Sequence, residues 1–585
     1  MGFVQPELPV VDQQQWQNSG RSERIRLMAR HWAEVGFGTP VVLHLFYVVK
    51  ICLYILGGWL FALSTSGIDG FTDVGGWWSE PIVFEKAVLY TMLFEVIGLG
   101  CGFGPLNNRY FPPMGSILYW LRPGTIRLPP WPRVVPLTRG TARTPVDAAL
   151  YALLLVVLLW ALLSDGTGPI PALDTTVGLL PAWQVGLVVA VLAVLGLRDK
   201  VIFLAARGEV YGSLAVAFLF GGADAILAAK LVFVVIWMGA ATSKLNRHFP
   251  FVVSTMMSNS PIVRPRWLKR RFFADFPDDL RPGWLSRFVA HSGTAVEMCA
   301  PIVLFFSHGG WPTAVAAVIL LCFHLAILTA IPMGVPLEWN VFMMFGLGVL
   351  FVAHADIGFA DATHPWLPVL LFAVLVAIVI TGNLLPSRIS FLPGMRYYAG
   401  NWDTTVWCVK PSAAQKIDRN IVAIASMPQA QMERYYGKDR AQIPLYLGYA
   451  FRAMNTHGRA LFTLVHRAMP AGREDEYTIT DGERICSTAI GWNFGDGHMH
   501  NEQLIAALQQ RCHFEPGEVR VVLLDAQPIH TQVQAYRLVD AATGEFERGT
   551  VRVADMVESQ PWADDLPVHV TSTAGPAVTD SHPAP

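Results

Sequence analysis

Charged residues are scarce in this chain: Asp, Glu, Lys and Arg supply 15% of its 585 residues, against about a quarter in soluble domains. That shortage excludes an ordinary soluble enzyme, and the mean hydropathy of +0.40 agrees. Neither sign of charge is in excess, because 43 Lys and Arg face 44 Asp and Glu for a formal charge of -1. A chain so balanced has no net basic field with which to hold nucleic acid. Paired cysteines are missing as well. The 7 cysteines are scattered, with no Cys-x-x-Cys and no zinc-type spacing, so neither a disulfide framework nor a structural metal is expected. The N-terminus does not show the basic region, short apolar core and cleavage site of a secretory leader, and none is expected. Residues 405–570 hold no phosphate loop, Gly-x-Ser-x-Gly elbow or dinucleotide fingerprint.

Apolar sequence is what the chain has in quantity. Hydrophobic residues reach 53% and gather into runs of the ~20 residues that a bilayer demands. Nine spans are expected near 41–63, 84–104, 146–164, 181–197, 224–243, 288–307, 311–331, 338–354 and 366–386. A tenth candidate, 201–222, carries Arg207 and Glu209 and reads either as a crossing or as a re-entrant segment. The expected fold is an all-α polytopic membrane bundle of nine or ten spans across 41–390, followed by an α/β soluble domain at 391–570. A polar arm, 1–40, precedes the bundle, and 571–585 reads as a disordered tail.

The arm and the 105–145 loop are rich in arginine, whereas 65–80 and 165–180 hold aspartates and no Lys or Arg. Basic loops stay inside, so the chain is expected in the cell membrane with a cytoplasmic N-terminus. Whether the 246–287 loop and the C-terminal domain share that side turns on whether 201–222 spans. Five prolines around MGSILYWL make 105–145 an interfacial segment rather than a crossing. In the C-terminal domain, helical patterns run through 412–468 and near 501–511. EYTITDGERICSTAIGW, EVRVVLLDA and VQAYRLVDAATGEFERGTVRVADM read as strands, with a hairpin turn at Ala542-Thr543-Gly544.

Ionisable groups are costly in hydrocarbon and usually face a bundle interior or a wet cavity. His44, Lys50, Glu95, Lys230, His291, Glu297 and His324 all fall inside expected spans. One reading pairs them internally, Lys50 with Glu95 for instance, to fix helix packing. The other gathers them around a shared cavity, with His291, Thr294 and Glu297 at i, i+3 and i+6. Lys244 ends the 224–243 span in WMGAATSKLNRHFPF. It reads either as a lysine that snorkels to the interface or, beside the small residues Gly239, Ala240, Ala241 and Ser243, as a partly desolvated base.

Lys244-Leu245, HSGTAVEMCAPIVLFF (291–306), CFHLAILTAIPMGV (322–335) and RISFLPGMRYYAGNW (388–402) together resemble the vitamin K-dependent gamma-carboxylase superfamily, with its horizontally transferred bacterial transmembrane members. In length and layout the chain also resembles an uncharacterised actinobacterial transmembrane family. The carboxylase resemblance implies that Lys244 is the base that deprotonates a reduced quinone, here of menaquinol type, for glutamate carboxylation. Together with the ionisable groups inside the spans, this makes His291, Glu297 and His324 candidate catalytic positions beside Lys244, and Arg207, Glu209, Glu95 and Lys50 candidate substrate contacts. Asp199-Lys200 and Tyr211-Gly212 match that pattern, but Arg207 stands where the superfamily has a histidine, and Ala241 where glycine is usual. Gly497-His498-Met499-His500 offers either a metal-binding pair or a turn with surface histidines; no metal is assigned. Two functions therefore stay open: a carboxylase-like enzyme acting on a lipid-soluble quinol or other lipid in the membrane, and a non-enzymatic protein that binds, carries or scaffolds lipid. The expected partners are the bilayer and a lipid or quinone ligand, without nucleic acid.

Overall fold

Long unbroken runs of Leu, Val, Ile and Ala satisfy their own backbone as helices, the form that hydrocarbon requires. The computed structural model describes residues 2–100, 115–330 and 337–573. Within these, six helices are long and apolar enough to cross a membrane: Val41–Leu63, Pro145–Leu162, Gly222–Ser243, Trp284–Ser307, Gly310–Thr329 and Trp366–Leu384. Ala182–Arg198 and Leu337–Ala353 are apolar but shorter, and Pro81–Val96 is buried at every residue but Ala87. The nine or ten full-length spans expected from hydropathy are thus six long helices accompanied by shorter ones.

Segment 201–222 is not one helix. Lys200–Ala205 stops at Arg207, whose φ of 52° is left-handed, and a π-helical turn, Gly208–Gly212, leads into Ser213–Phe218. The Gly222–Ser243 helix forms the centre of the bundle and is 83% buried in its apolar window, whereas Val41–Leu63 lies at the edge at 17%.

The N-terminal arm contains the Arg21–Val35 helix, which packs on the Gln442–Met454 helix of the C-terminal domain. Arg21 Nη2 donates to Phe462 O at 3.1 Å, and Trp32 Nε1 to Thr255 O at 3.0 Å. A small antiparallel pair, β1 (Phe273–Asp275) and β2 (Asp279–Pro282), closes the loop before Trp284. Part of the 105–145 loop lies outside the described residues. The remainder packs in part against the C-terminal domain, with Trp120 Nε1 donating to Ile490 O at 3.1 Å and Arg511 Nη1 to Thr141 Oγ1 at 3.0 Å, while Leu118, Trp131, Val134 and Leu137 are exposed.

The C-terminal sheet has six strands: β3 (Thr404–Val409), β4 (Thr478–Asp481), β5 (Val519–Leu524), β6 (Val533–Asp540), β7 (Gly544–Arg552) and β8 (Val568–Thr573). Their order is β4-β3-β5-β6-β7-β8 and every pair is antiparallel. The domain is therefore α+β rather than α/β, because no helical crossover joins parallel strands. Only Thr478–Asp481 of EYTITDGERICSTAIGW is a strand. Asp481 then accepts a hydrogen bond from the Glu483 N–H at 2.9 Å and caps the Gly482–Ala489 helix, as an N-cap aspartate does. Residues 571–573, expected in the tail, end β8; the rest of that tail lies outside the described residues.

Candidate functional site

A cavity of about 400 Å³ lies where the Gly222–Ser243, Trp284–Ser307, Gly310–Ala330 and Leu337–Gly346 helices meet Tyr397, Tyr398 and Phe494. Its walls are mostly aromatic and aliphatic, and Phe288 at the rim is 63% exposed. The cavity thus opens on the outer surface of the helices.

Lys244 caps the C-terminus of the Gly222–Ser243 helix and turns its chain into the cavity. Its Nζ contacts Glu297 Oε2, with side-chain exposures of 9% and 7%, and lies 5.5 Å from the Phe249 ring. The lysine does not snorkel outward; it is an ion-pair partner inside. Glu297 faces it because the buried side of its helix runs through Ser286, Ala290, Thr294 and Glu297. His291 follows Ala290 by one residue, about 100° around the helix, and is exposed. The histidine expected to share the cavity with Glu297 therefore lies outside it.

His324 is in the wall with both ring nitrogens engaged. Trp237 Nε1 donates to Nε2 at 3.0 Å, and Nδ1 lies 2.9 Å from Asn340 Oδ1. Indole can only donate and the amide oxygen can only accept, so the ring is neutral with its proton on Nδ1. That arrangement engages both ring nitrogens, and His324 braces the wall.

Arg207 reaches the opposite side of the cavity. Its left-handed backbone turns the side chain inward, where Nε donates to Glu209 Oε1 at 2.7 Å. The guanidinium stacks over Trp339 at 4.7 Å, Phe494 at 5.0 Å and Tyr397 at 5.5 Å. Arginine packs this way because its planar, weakly hydrated cation suits aromatic faces.

Lys50 and Glu95 do not line the cavity. Lys50 Nζ pairs with Glu338 at 2.6 Å and donates to Gly100 O at 3.0 Å, so Glu338 is a partner that the pairing suggested with Glu95 did not foresee. Glu95 is fully buried beside Gly100, where a Cβ would fall 2.0 Å from its carboxylate. Lys230 donates to Ile357 O at 2.6 Å, far along the same helix from Lys244. Among residues that sequence reasoning passed over, Trp237, Trp339, Asn340, Tyr397 and Phe494 build the cavity. The run Glu338-Trp339-Asn340 carried a usable signal, polar groups within an apolar helix; Phe494 carried none, being contributed by a distant loop.

His498 and His500 turn to different partners. His498 Nε2 lies 3.3 Å from Asp403 Oδ2 and 2.9 Å from Pro386 O, whereas His500 Nδ1 lies 2.7 Å from Thr405 Oγ1. Burial opposes charge on His498, but Asp403 outweighs it and raises the imidazole to about 9. Burial holds His500 down at about 4. Among the described residues no group of three or more His, Cys, Asp and Glu is disposed to hold a metal ion.

Long apolar helices, a cavity among them and a sheet domain occur here in one chain. The chain belongs to a family of transmembrane proteins of unknown function, DUF3556, whose model matches residues 1–571. That match supports the likeness to an uncharacterised transmembrane family and lends nothing to the gamma-carboxylase resemblance. Comparison with curated proteins and with solved structures returns no match.

Proposed function

We propose that this integral membrane protein is an enzyme acting on a hydroquinone or a similarly small-headed lipid, with the Lys244–Glu297 pair receiving the proton of a ligand hydroxyl. The observation that carries this reading is an amine–carboxylate pair set on the wall of an aromatic cavity that opens on the outer surface of the helices. The volume falls in the usual range for small-molecule sites, and the flat faces of Trp237, Trp339 and Tyr397 suit a ring. A hydroquinone bound here would give up its two electrons to an external acceptor such as dioxygen; the chain supplies position and a proton acceptor. Arg207, permanently protonated, orients a ligand oxygen without exchanging protons. Glutamate carboxylation forms no part of this proposal, because a guanidinium cannot take the place of the superfamily's histidine in proton exchange.

Lipid binding or transport without chemistry is a second reading, favoured by the engaged ring of His324 and by the apolar lining. Purified wild type, Lys244→Met, Lys244→Arg and Glu297→Gln separate the two when binding of a soluble reduced naphthoquinone is followed together with its aerobic oxidation, in which dioxygen takes the two electrons and two protons and is reduced to hydrogen peroxide. Loss of one proton acceptor lowers turnover by roughly 10²-fold or more, and guanidinium does not replace it. Unimpaired turnover in both lysine variants removes Lys244 from the mechanism. Binding without turnover in every form, preserved by Lys244→Arg, favours the carrier.

For topology we infer a ten-pass path with the N-terminal arm, the 246–287 loop and the C-terminal domain together on the cytoplasmic face. Support comes from the packing of arm on domain, from the arginine-rich loops, and from the two ends of the broken segment. Lys200 Nζ donates to His498 O at 2.6 Å, while Asp224 accepts from the His364 N–H at 2.9 Å. Labelling of single cysteines at 26 and 470 from one side only is the expected result.

A further inference from the structure

A second cavity of about 400 Å³ lies apart from the first, between the N-terminal arm, the start of the Val41–Leu63 helix and the C-terminal domain. We propose that it holds a glycerophospholipid, with the phosphodiester against Arg484 and an acyl chain leaving along Val42 and Leu43. Four observations combine here. The lining is predominantly apolar, with Leu43, Leu445 and Tyr435 among its residues. The mouth adjoins the first turn of a helix whose outer side is bare, Val42 being 38%, Leu45 53% and Phe46 41% exposed, which sets it at the level where lipid head groups meet acyl chains. The polar end holds two arginines and two carboxylates, and the direct contacts of the carboxylates go to one arginine: Arg452 Nε donates to Asp481 Oδ2 at 2.7 Å and its Nη2 contacts Glu483 Oε1. Arg484 feels both carboxylates through space but is bonded to neither.

Its guanidinium rests 5.7 Å from the Tyr449 ring, and its Nη1 is buried without a hydrogen bond. A buried donor with no acceptor is costly, and because Arg484 lines the cavity, a small turn of its guanidinium towards the opening gives a phosphate oxygen a charge-assisted bond. Gly448 makes the space, since a Cβ there would fall 2.1 Å from Arg484 Nη2. The four charges cancel, so long-range attraction does not select the ligand. Selection requires both halves, phosphate for the unpaired N–H groups and chain for the apolar wall.

The test uses the full-length protein in a neutral detergent, with thermal stability read against dioctanoyl phosphatidylglycerol, dioctanoylglycerol and inorganic phosphate. Only the phospholipid is expected to stabilise the wild type. Arg484→Gln is expected to weaken its apparent affinity by roughly tenfold, whereas Arg484→Lys retains most of it and Lys244→Met retains all of it. That last result separates this site from the quinol cavity. Equal stabilisation by dioctanoylglycerol, or by inorganic phosphate alone, overturns the proposal, as does an unchanged response in Arg484→Gln. Should that variant fail to fold, a photoactivatable phosphatidylglycerol on the wild type decides: crosslinks at Leu43, Tyr435 or Leu445 support the site, and crosslinks confined elsewhere overturn it.

Discussion

Replacing Lys50 by methionine keeps most of the apolar stem of the side chain while deleting its charge, and it tests how the edge helix is fastened to the bundle. In the native chain the Lys50 ammonium meets the Glu338 carboxylate at 2.6 Å, with side-chain exposures of 5% and 0%. Apart from that contact, neither oxygen of Glu338 makes a hydrogen bond among the described residues. Lys50→Met therefore strands a buried carboxylate, a change that costs about 3–5 kcal/mol in comparable buried pairs. Pairing it with Glu338→Leu removes both charges. Buried pairs replaced by apolar groups of similar volume are often neutral in stability, so the double variant recovers most of the loss. It still lacks the donor to Gly100 O, worth about 1 kcal/mol. Unfolding of the four proteins of this cycle in mixed micelles gives the coupling energy directly. A single variant within about 1 kcal/mol of wild type, or a double variant no better than the single, would refute the reasoning that this pair is dry and mutually dependent.

The His498–Asp403 pair ties the end of the last apolar helix to the sheet, and it makes stability depend on pH. Because the folded imidazole is raised to about 9 above an unfolded value near 6.5, its contribution is complete below about pH 6.5 and disappears as pH rises through about 9. Burial works against the Asp403 anion, yet His498 and Arg396 hold it at about 2, so its contribution is lost only in acid below about pH 4. His498→Gln is expected to flatten the fall in thermal stability between pH 6.5 and 9 seen in the wild type; an unchanged slope means that another group titrates. Gly346→Ala places a Cβ 2.2 Å from the Phe233 ring and 3.1 Å from Phe84, in a wall of packed aromatics. It is expected to cost about 1–3 kcal/mol by overpacking, and unaltered unfolding would show that the rings have room to move.

Much of the architecture was legible because hydrocarbon leaves the chain few options. Runs such as 41–63 and 366–386 became helices within a residue or two, and the hairpin at Ala542-Thr543-Gly544 joins β6 to β7 where alternation placed it. Length was harder to read. Hydropathy marks where a chain is apolar, but Pro81–Val96 and Leu337–Gly346 are short helices largely buried against the rest of the protein, and a window over sequence cannot separate burial in protein from burial in lipid. The broken helix at Arg207 shows the same limit. Two charges inside an apolar run announced an irregularity there, while its form depended on Trp339, Tyr397 and Phe494 closing over the guanidinium from three other parts of the chain.

The cavity was legible one residue at a time and not as a set. Lys244, Glu297 and His324 stood out as polar groups in apolar surroundings, and all three line it. His291 failed on helical phase: six residues before Glu297 lies about 120° away around the helix, whereas seven residues before it, at Ala290, lies about 20° away. Burial follows that arithmetic, since Ala290 is 1% exposed and His291 is exposed. Pairing cannot be computed this way. Glu95, Glu297 and Glu338 look alike in sequence, and which carboxylate meets which lysine depends on which helices are neighbours. The Leu337–Gly346 helix settles both questions at once, sending Glu338 to Lys50 and Asn340 to His324. Two residues apart on one helix, these side chains point to opposite sides, so a single short helix fastens the edge span with one and fixes the tautomer of the cavity histidine with the other. A change at Glu338 is accordingly expected to reach the cavity only by shifting this helix, which makes the position of Asn340 the physical link between the stability of the bundle and the shape of its site.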